Sequence, residues 1–200
     1  MMGRKAFWTI TAALALPLAA NPAFAQGQGV HCMQGQYSAE QTEELRELGP
    51  NLVTGSQIHQ EVFDRMGDIA MTAVQSCGRS NRWNEEQSRF ATLYELGRIN
   101  EITYRKSGHL TEDQLQRLDS ALATGNHERL WSIIENSVFQ GMNEGDGAMG
   151  EGDAMVIGAF IVSAGLNTGS QSEAVAERIG IILGFMGLQR IGRREFDTLH

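Results

Sequence analysis

The sequence predicts an all-α fold, a helical bundle of about seven helices in one domain. Apolar residues recur at steps of three and four along most of the chain, as on the buried face of a helix. Ser, Thr or Asn followed three positions later by Gln or Glu marks helix starts, because such pairs form capping boxes. Glycines just past the apolar stretches mark helix ends. Short loops between these helices favour antiparallel neighbours.

Capping boxes and glycines divide the chain into its elements. The boxes are YSAEQ (37–41), VTGSQ (53–57), WNEEQ (83–87), LTEDQ (110–114) and GSQSE (169–173). The glycines that follow apolar stretches stand at positions 49, 78, 108, 125 and 141. Together these signals predict helices at 39–48, 56–77, 85–107, 112–124, 127–140, 154–166 and 171–190.

Two charge-free stretches near the C-terminus are apolar on every side, AMVIGAFIVSAGL (154–166) and IGIILGFMGL (179–188). A helix of this kind lies at the centre of a domain or in lipid. The first stretch would measure only about 20 Å, which is shorter than a hydrocarbon core of about 30 Å. We therefore predict that this helix pair forms the centre of the bundle and that the chain has no stable membrane span.

Glycines inside helices indicate where two helices approach closely. Gly67 and Gly180 occupy positions where alanine would stabilise an isolated helix by about 1 kcal/mol, so a packing role is predicted for them. Gly180 and Gly184 also form a pattern of small residues one turn apart. The arginines between positions 190 and 194 are predicted to interact with the negative C-terminal end of the last helix.

Residues 1–25 predict a cleaved secretory signal peptide. Arg4 and Lys5 precede an apolar run at 6–20, and Ala-Phe-Ala at 23–25 supplies the small residues of a cleavage site. The apolar run is interrupted by proline and is too short for a membrane helix that stays in place. The protein is therefore expected in the periplasm or outside the cell.

The mature chain, residues 26–200, is expected to be one all-α domain. Its length of about 175 residues is sufficient to bury a substantial core. The loss of two basic residues with the leader would take the formal net charge from −8 to −10. We expect no nucleic-acid partner, because phosphate binding needs clustered positive charge.

Cys32 and Cys77 are the only two cysteines. Disulfides persist outside the cytoplasm, so a single bridge between these residues is predicted. It would close a loop of about 45 residues and stabilise the fold by about 3–4 kcal/mol through restriction of the unfolded chain. The alternative is a thiolate nucleophile or a copper site made of His31, Cys32 and Met33, although no local feature indicates an activated thiol.

The stretch NEGDGAMGEGDAM (143–155) combines four carboxylates and four glycines with no basic residue. A calcium loop of the EF-hand type needs oxygen ligands at its first, third and fifth positions. With Asn143 or Asp146 as the first position, the third and fifth positions carry no ligand oxygen. We interpret residues 141–153 as a flexible acidic loop that acts as a tether, with calcium binding as the alternative.

Catalytic and metal signatures are absent from the sequence. The five histidines form no HExxH or His-x-x-x-His pair, and no GxSxG motif occurs. The 24 acidic residues allow chance carboxylate pairs of the glycosidase kind, so an envelope hydrolase stays an alternative. We predict no catalytic residue, no metal and no cofactor.

The YSAEQ and LTEDQ boxes resemble the Leu-Thr-x-x-Gln motif of small periplasmic envelope-stress chaperones of the Spy and CpxP kind. The resemblance covers five residues at each place and implies a binding or chaperone role. The expected function is that of an exported soluble protein that acts by binding, with an unknown envelope protein as its partner. A membrane-active helical protein that releases its apolar hairpin is the alternative hypothesis.

Overall fold

The computed structural model describes residues 29–54, 57–142, 149–166 and 172–199. The predicted signal peptide at residues 1–25 lies outside these ranges. Inside them the chain is mostly helical, which confirms the all-α prediction. The exception is a short antiparallel ladder in which Val53–Thr54 pairs with Gln57–Ile58.

Seven α-helices follow one another along the described chain, in agreement with the predicted number. They are α1 (Ala39–Leu48), α2 (Gln60–Asn81), α3 (Glu85–Lys106), α4 (Glu112–Ala123), α5 (Glu128–Met142), α6 (Glu151–Ser163) and α7 (Ser172–Thr198). Two short 3-10 helices lie at Val30–Gly35 and Gly49–Asn51.

Three of the predicted capping boxes are confirmed by hydrogen bonds. At the start of α1, Ser38 Oγ accepts from the N–H of Gln41 at 3.1 Å, and Gln41 Oε1 accepts from the N–H of Ser38 at 3.0 Å. The same reciprocal arrangement starts α3 and α4, through the pairs Asn84–Gln87 and Thr111–Gln114. Each box satisfies N–H groups that have no partner within the helix, so it determines where the helix begins. The predicted box at 169–173 lies mostly outside the described residues.

The helix start predicted from the VTGSQ box is wrong. Val53 pairs with Ile58 in the antiparallel ladder, so the chain is extended there and α2 begins only at Gln60. Val53 is β-branched and its side chain is buried, and this tertiary burial outweighs the local capping pattern. The stop predicted at Gly78 is wrong as well, because α2 continues beyond it to Asn81 and is capped by Arg82, which adopts φ 57°.

Helices α3 and α7 pack closely against each other at the centre of the bundle. A Cβ atom added to Gly192 would lie 2.5 Å from the backbone nitrogen of Tyr94. One added to Gly97 would lie 2.5 Å from the carbonyl oxygen of Phe185. These distances are shorter than van der Waals contact, so the two helices can approach this closely only because both positions are glycine.

The glycines predicted at points of close approach do not have that role. A Cβ atom on Gly180 or Gly184 would meet no heavy atom within 4 Å. At Gly67 it would meet only the Leu96 side chain, at an ordinary 3.6 Å. The prediction selected the wrong glycines because a sequence shows the phase of a helix but not which side of it a neighbour covers.

The two apolar C-terminal helices lie in different environments. Helix α7 buries nine residues and packs against α3 and α5. Helix α6 buries only Phe160 and Ile161 and lies at the surface. The predicted position at the centre is therefore wrong for α6. A helix that is apolar on all sides has no single apolar face, so its sequence could not show which side the bundle would cover.

Helix α7 continues to Thr198 instead of ending at residue 190. Phe196 is fully buried and extends the apolar side of the helix beyond the charge-free stretch. Arg190 and Arg194 consequently lie inside the helix, where both bind Glu135 of α5. Arg193 Nε lies 3.7 Å from a carboxylate oxygen of Asp197. The predicted interaction of these three arginines with the helix C-terminus is wrong, since carboxylate side chains bind them and none lies in the last turn of α7.

The N-terminal 3-10 helix completes a second part of the core and was not predicted. Its residues Val30 and Met33 are buried in a cluster with Cys77 and Phe196. The Trp83 ring contacts the Phe196 ring edge-on, with 5.0 Å between their centroids. The N-terminal segment therefore holds the end of α7 against α2.

Candidate functional site

Exposed apolar side chains are grouped on α6 and the end of α5. The group holds five of the eight large apolar residues that are exposed within the described ranges: Phe139, Met142, Met149, Met155 and Val162. Met155, Val162 and Phe139 are the most exposed, at 68%, 56% and 55%. We call these five residues the α5–α6 surface.

The antiparallel arrangement of α5 and α6 creates this surface. His127, just before α5, contacts Phe160 near the end of α6, with 5.5 Å between the ring centroids. This contact is consistent with an antiparallel pair in which the start of α6, with Met155, lies toward the end of α5, with Phe139. Phe160 and Ile161 attach α6 to the bundle, and the other side chains of α6 stay partly or fully exposed.

The charges carried by α6 are entirely acidic, and the arginines of α7 beside Phe139 are paired with Glu135. No lysine or arginine occurs between Arg129 and Arg178. Glu151 and Asp153 are exposed in the first turn of α6, where the partial positive charge of the helix N-terminus stabilises carboxylates. The α5–α6 surface is therefore apolar with an acidic border, and this combination favours a basic partner over an anionic one.

A recess of about 490 Å³ between α5 and α7 adjoins this surface. The guanidinium of Arg190 lies over the Trp131 ring, 4.6 Å from its centroid. Arg190 Nε also donates to Glu135 at 2.8 Å, and Arg194 binds the second oxygen of the same carboxylate. Phe139 borders both the recess and the surface, so the recess extends the apolar area toward α7.

On the other side of the core, Glu95 of α3 is fully buried and has two partners. Arg98 donates to it from Nε at 2.8 Å and from Nη2 at 2.6 Å, and the Tyr37 hydroxyl donates to Oε1. Burial and the negative charge of Glu95 raise the pKa of Tyr37, so its hydroxyl remains a donor. No second fully buried carboxylate is present in the described residues, and Glu95 is already compensated. The arrangement fits a structural ion pair and not an acid–base pair for hydrolysis.

Arg98 and Tyr37 also line a cleft of about 470 Å³ beside α1 and α3, which we call the α1–α3 cleft. The hydrocarbon part of its wall comes chiefly from Tyr37, Leu45, Pro50, Ile99 and Ile102. Its charged groups are Glu43, Arg46, Arg98 and Lys106. The volume lies within the range of about 300–1,000 Å³ that is typical of sites for small molecules.

The sulfur atoms of Cys32 and Cys77 lie at disulfide distance, with their Cα atoms 6.1 Å apart. The structure thus brings together the two cysteines that the sequence paired. A cysteine in such a pair has no thiolate for catalysis or copper binding. Met33, a ligand in the alternative copper site, is completely buried in the core.

The acidic stretch is only partly described. Helix α5 extends to Met142 and α6 begins at Glu151, so the loop is shorter than the predicted 141–153. Residues 143–148, with two of the four carboxylates, lie outside the described ranges. Within those ranges, no three His, Cys, Asp or Glu side chains are grouped closely enough to hold a metal ion.

The described histidines serve packing or local hydrogen bonding, or lie at the surface. The Nε2 atom of His127 lies 2.9 Å from the carbonyl oxygen of Ala121 and 2.7 Å from that of Thr124. His109 packs against Tyr104, with 5.2 Å between the ring centroids.

No helix in the described part of the chain is long and apolar enough to cross a membrane. Comparison with protein families, with curated proteins and with solved structures finds no match to this chain. The α5–α6 surface, its recess and the α1–α3 cleft are therefore the features on which a function can be based.

No binding residue was predicted from the sequence. The α5–α6 surface could have been predicted, because Met142, Met149 and Met155 recur in an acidic, apolar segment without basic residues. The cleft had no such signal. Its walls come from the N-terminal segment, α1 and α3, which are brought together only by the fold.

Proposed function

We propose that this protein is an exported helical binding protein whose α5–α6 surface binds a basic, apolar segment of a partner protein in the cell envelope. The observation that carries the proposal is the exposure of α6, which has no charged residue after Asp153. Single exposed apolar residues are common on soluble proteins, whereas a group of them on one surface is typical of an interaction site.

The side chains of the surface suit a helical or extended apolar partner. Met142, Met149 and Met155 are unbranched and flexible, so they can adapt to partner side chains of different shape. Phe139 supplies an aromatic group of the kind that often dominates binding energy. The adjoining recess at Trp131 offers a place for one large partner side chain.

The acidic border supports a basic protein segment in preference to a membrane. Glu151 and Asp153 would be repelled by anionic lipid headgroups, and the same charges would attract lysine or arginine on a partner. Because α6 is apolar and lies at the surface, the alternative hypothesis of a membrane-active protein also has to be tested. Association with lipid is therefore one outcome of the experiment below.

Export is supported by two features. Residues 1–25 have the pattern of a signal peptide. The pairing of Cys32 and Cys77 suits an oxidising compartment. The partner is accordingly expected among proteins of the cell envelope.

The proposal is tested with a synthetic amphipathic peptide of about 18 residues made of Leu and Lys, and with its Leu and Glu counterpart. We expect the purified protein to bind the Lys peptide in fluorescence anisotropy and not to bind the Glu peptide. Replacement of Met155→Gln together with Val162→Thr should weaken binding of the Lys peptide by about ten-fold or more, because apolar contact area is lost.

Met71→Gln is the matched control, since Met71 is exposed on α2, away from the α5–α6 surface. This variant should bind the Lys peptide like the wild type. Equal affinity for the two peptides would contradict the proposal, and so would binding that the double substitution leaves unchanged. Co-sedimentation of the wild type with anionic vesicles, lost in the double variant, would support the membrane-active alternative instead.

A further inference from the structure

We infer that the α1–α3 cleft is a second binding site, which takes a small amphipathic anion with a single apolar chain. This site is separate from the α5–α6 surface, and the inference does not depend on the function proposed for that surface. It rests on the shape of the cleft, on the balance of its charges and on the way in which Arg98 and the cleft wall are held in place.

The hydrocarbon part of the cleft is continuous along one side of α3. Ile99 and Ile102 stand on this helix, and Leu45 of α1 faces the same space. Ile102 is 37% exposed, although it is a large apolar residue at the cleft. An aliphatic chain placed here would cover Ile102 and remove apolar surface from water, which favours binding.

The charges of the cleft leave one cation uncompensated. Arg46 is paired with Glu43 on the same helix, and Arg98 is paired with the buried Glu95. Among the described residues, no carboxylate forms an ion pair with Lys106. The cleft therefore carries a net positive charge in a protein whose formal net charge is −8. A local charge of this sign favours an anionic ligand.

Arg98 is oriented before any ligand binds. Glu95 holds its Nε and Nη2 atoms at 2.8 and 2.6 Å, and the guanidinium lies 5.9 Å from the centroid of the Tyr37 ring. A guanidinium has five N–H groups, so it can donate to an anion while it keeps its bonds to Glu95. An immobilised donor loses little entropy on binding, which increases affinity.

The cleft wall is also held in place by the paired cysteines. Gln34, Gly35 and Tyr37 belong to the wall and follow Cys32, whose sulfur lies at disulfide distance from that of Cys77 in α2. Ser76 donates to Gln36 at 2.7 Å and adds a second attachment between this segment and α2. The wall is thus part of the folded structure and does not need a ligand to form it.

The inference is tested by calorimetric titration with dodecanoate and with dodecyltrimethylammonium, both below their critical micelle concentrations. The two compounds share the apolar chain and differ in the sign of the head group. We expect dodecanoate to bind at one site per chain in the cleft, and we expect any binding of the cationic compound to be independent of Lys106.

Two exposed positions of the cleft provide variants that do not disturb the core. Ile102→Glu places a negative charge where the chain or head group would lie and should abolish dodecanoate binding. Lys106→Gln removes the uncompensated cation and should weaken binding by about ten-fold, as expected for the loss of a charge-assisted contact. Met71→Glu, at an exposed position of α2 outside the cleft, should leave dodecanoate affinity unchanged.

Binding to the α5–α6 surface is distinguished by Met155→Glu, which should leave dodecanoate affinity unchanged. If Met155→Glu abolishes binding while Ile102→Glu does not, the ligand occupies the surface and the inference is wrong. Equal binding of the two compounds that Ile102→Glu weakens to the same extent would show adsorption through the chain alone and would also overturn it.

Discussion

Helices α6 and α7 have similar apolar sequences and very different surroundings. Helix α7 is covered by α3 and α5 and buries nine residues, whereas α6 buries only Phe160 and Ile161, with Ile157 partly buried beside them. The buried helix is the one with charged residues along part of its length. The surface helix has none after Asp153. Apolarity by itself therefore does not determine which of the two helices forms the core.

The shape of the two helix surfaces explains why α7 is buried and α6 is exposed. Helix α7 carries Gly187 and Gly192, where atoms of α5 and α3 approach to 2.8 and 2.5 Å of an added Cβ position. Helix α6 carries Gly158, where an added Cβ atom would meet nothing within 4 Å. Close packing requires small residues opposite a neighbouring helix, and only α7 places them there. The exposed apolar side chains of α6 remain available for binding a partner.

The largest expected effect concerns the paired cysteines, which belong to the cluster around the end of α7. Replacement of Cys32→Ser and Cys77→Ser should lower the free energy of unfolding by about 4 kcal/mol, because the unfolded chain loses the restriction of a 45-residue separation. Urea unfolding of the oxidised protein measures this change. Hydrogen exchange of α6 should be altered less than that of α2 and the end of α7.

The same experiment tests the disulfide itself. The native protein should show no thiol that reacts with a thiol reagent before unfolding or reduction. Two reactive thiols, together with a free energy of unfolding that a reducing agent does not change, would show that the two cysteines lie close together without forming a disulfide.

The close contact of α7 with α3 predicts opposite results at two glycines of one helix. Gly192→Ala should destabilise the protein by about 3 kcal/mol, since its Cβ atom would lie 2.5 Å from the Tyr94 backbone nitrogen and must separate the helices. Gly180→Ala should stabilise it by up to about 1 kcal/mol, since nothing lies within 4 Å and alanine favours the helix.

Thermal and urea unfolding of both glycine variants provide the comparison. Equal destabilisation at positions 180 and 192 would mean that α7 is packed uniformly around its circumference. The contrast between α6 and α7 would then need another explanation than the close approach of α3 to one side of α7.

The attachment of α6 is tested at Phe160. Phe160→Ala should cost about 2 kcal/mol, less than the 3–5 kcal/mol typical of an enclosed core position, because the site lies at the edge and can relax. Val162→Ala is the control on the same helix and should change stability by less than about 0.5 kcal/mol, since Val162 is 56% exposed. A loss above about 4 kcal/mol for Phe160→Ala would place α6 among the core helices after all.

Local signals in the sequence predicted much of the fold. Ser38, Asn84 and Thr111 begin helices where expected, because a capping box involves only neighbouring residues. The cysteine pairing also followed from a short argument, since only two cysteines exist. These features need no knowledge of distant parts of the chain.

Features that depend on distant contacts were missed. The ladder at Val53 replaced a predicted helix start, and the packing glycines at positions 97 and 192 were not identified. The α1–α3 cleft joins Tyr37 to Arg98, which are far apart in sequence and meet only in the folded protein. Such features depend on which helix sides face each other, and the periodicity of one helix does not contain that information.

The smallest expected effect compares two tyrosine hydroxyls, that of Tyr37, which contacts α3, and that of Tyr104, which belongs to α3. Tyr37 donates to the buried Glu95, whereas the buried Tyr104 hydroxyl, beside Phe185 of α7, has no hydrogen-bond partner among the described residues. At neutral pH, Tyr37→Phe should cost about 1.5 kcal/mol, because it removes a donor from a buried carboxylate. Tyr104→Phe should be neutral or stabilising by up to about 1 kcal/mol, because it removes an unsatisfied polar group.

The dependence of stability on pH provides a further test of the Tyr37 hydroxyl. Burial raises the pKa of both tyrosines above the value of about 10 for unfolded chains, and the charge of Glu95 raises that of Tyr37 further. Because the pKa of Tyr37 is higher in the folded than in the unfolded protein, the stabilisation by its protonated hydroxyl is complete below about pH 10. It is lost as the pH rises beyond that value. The cost of Tyr37→Phe, measured by urea unfolding, should therefore be constant up to about pH 10 and shrink between about pH 10 and pH 11, since only the wild type loses this contribution. A cost that stays constant across that range would show that folding does not change the pKa of the Tyr37 hydroxyl. The contact with Glu95 would then contribute less to stability than the burial of the Tyr37 ring.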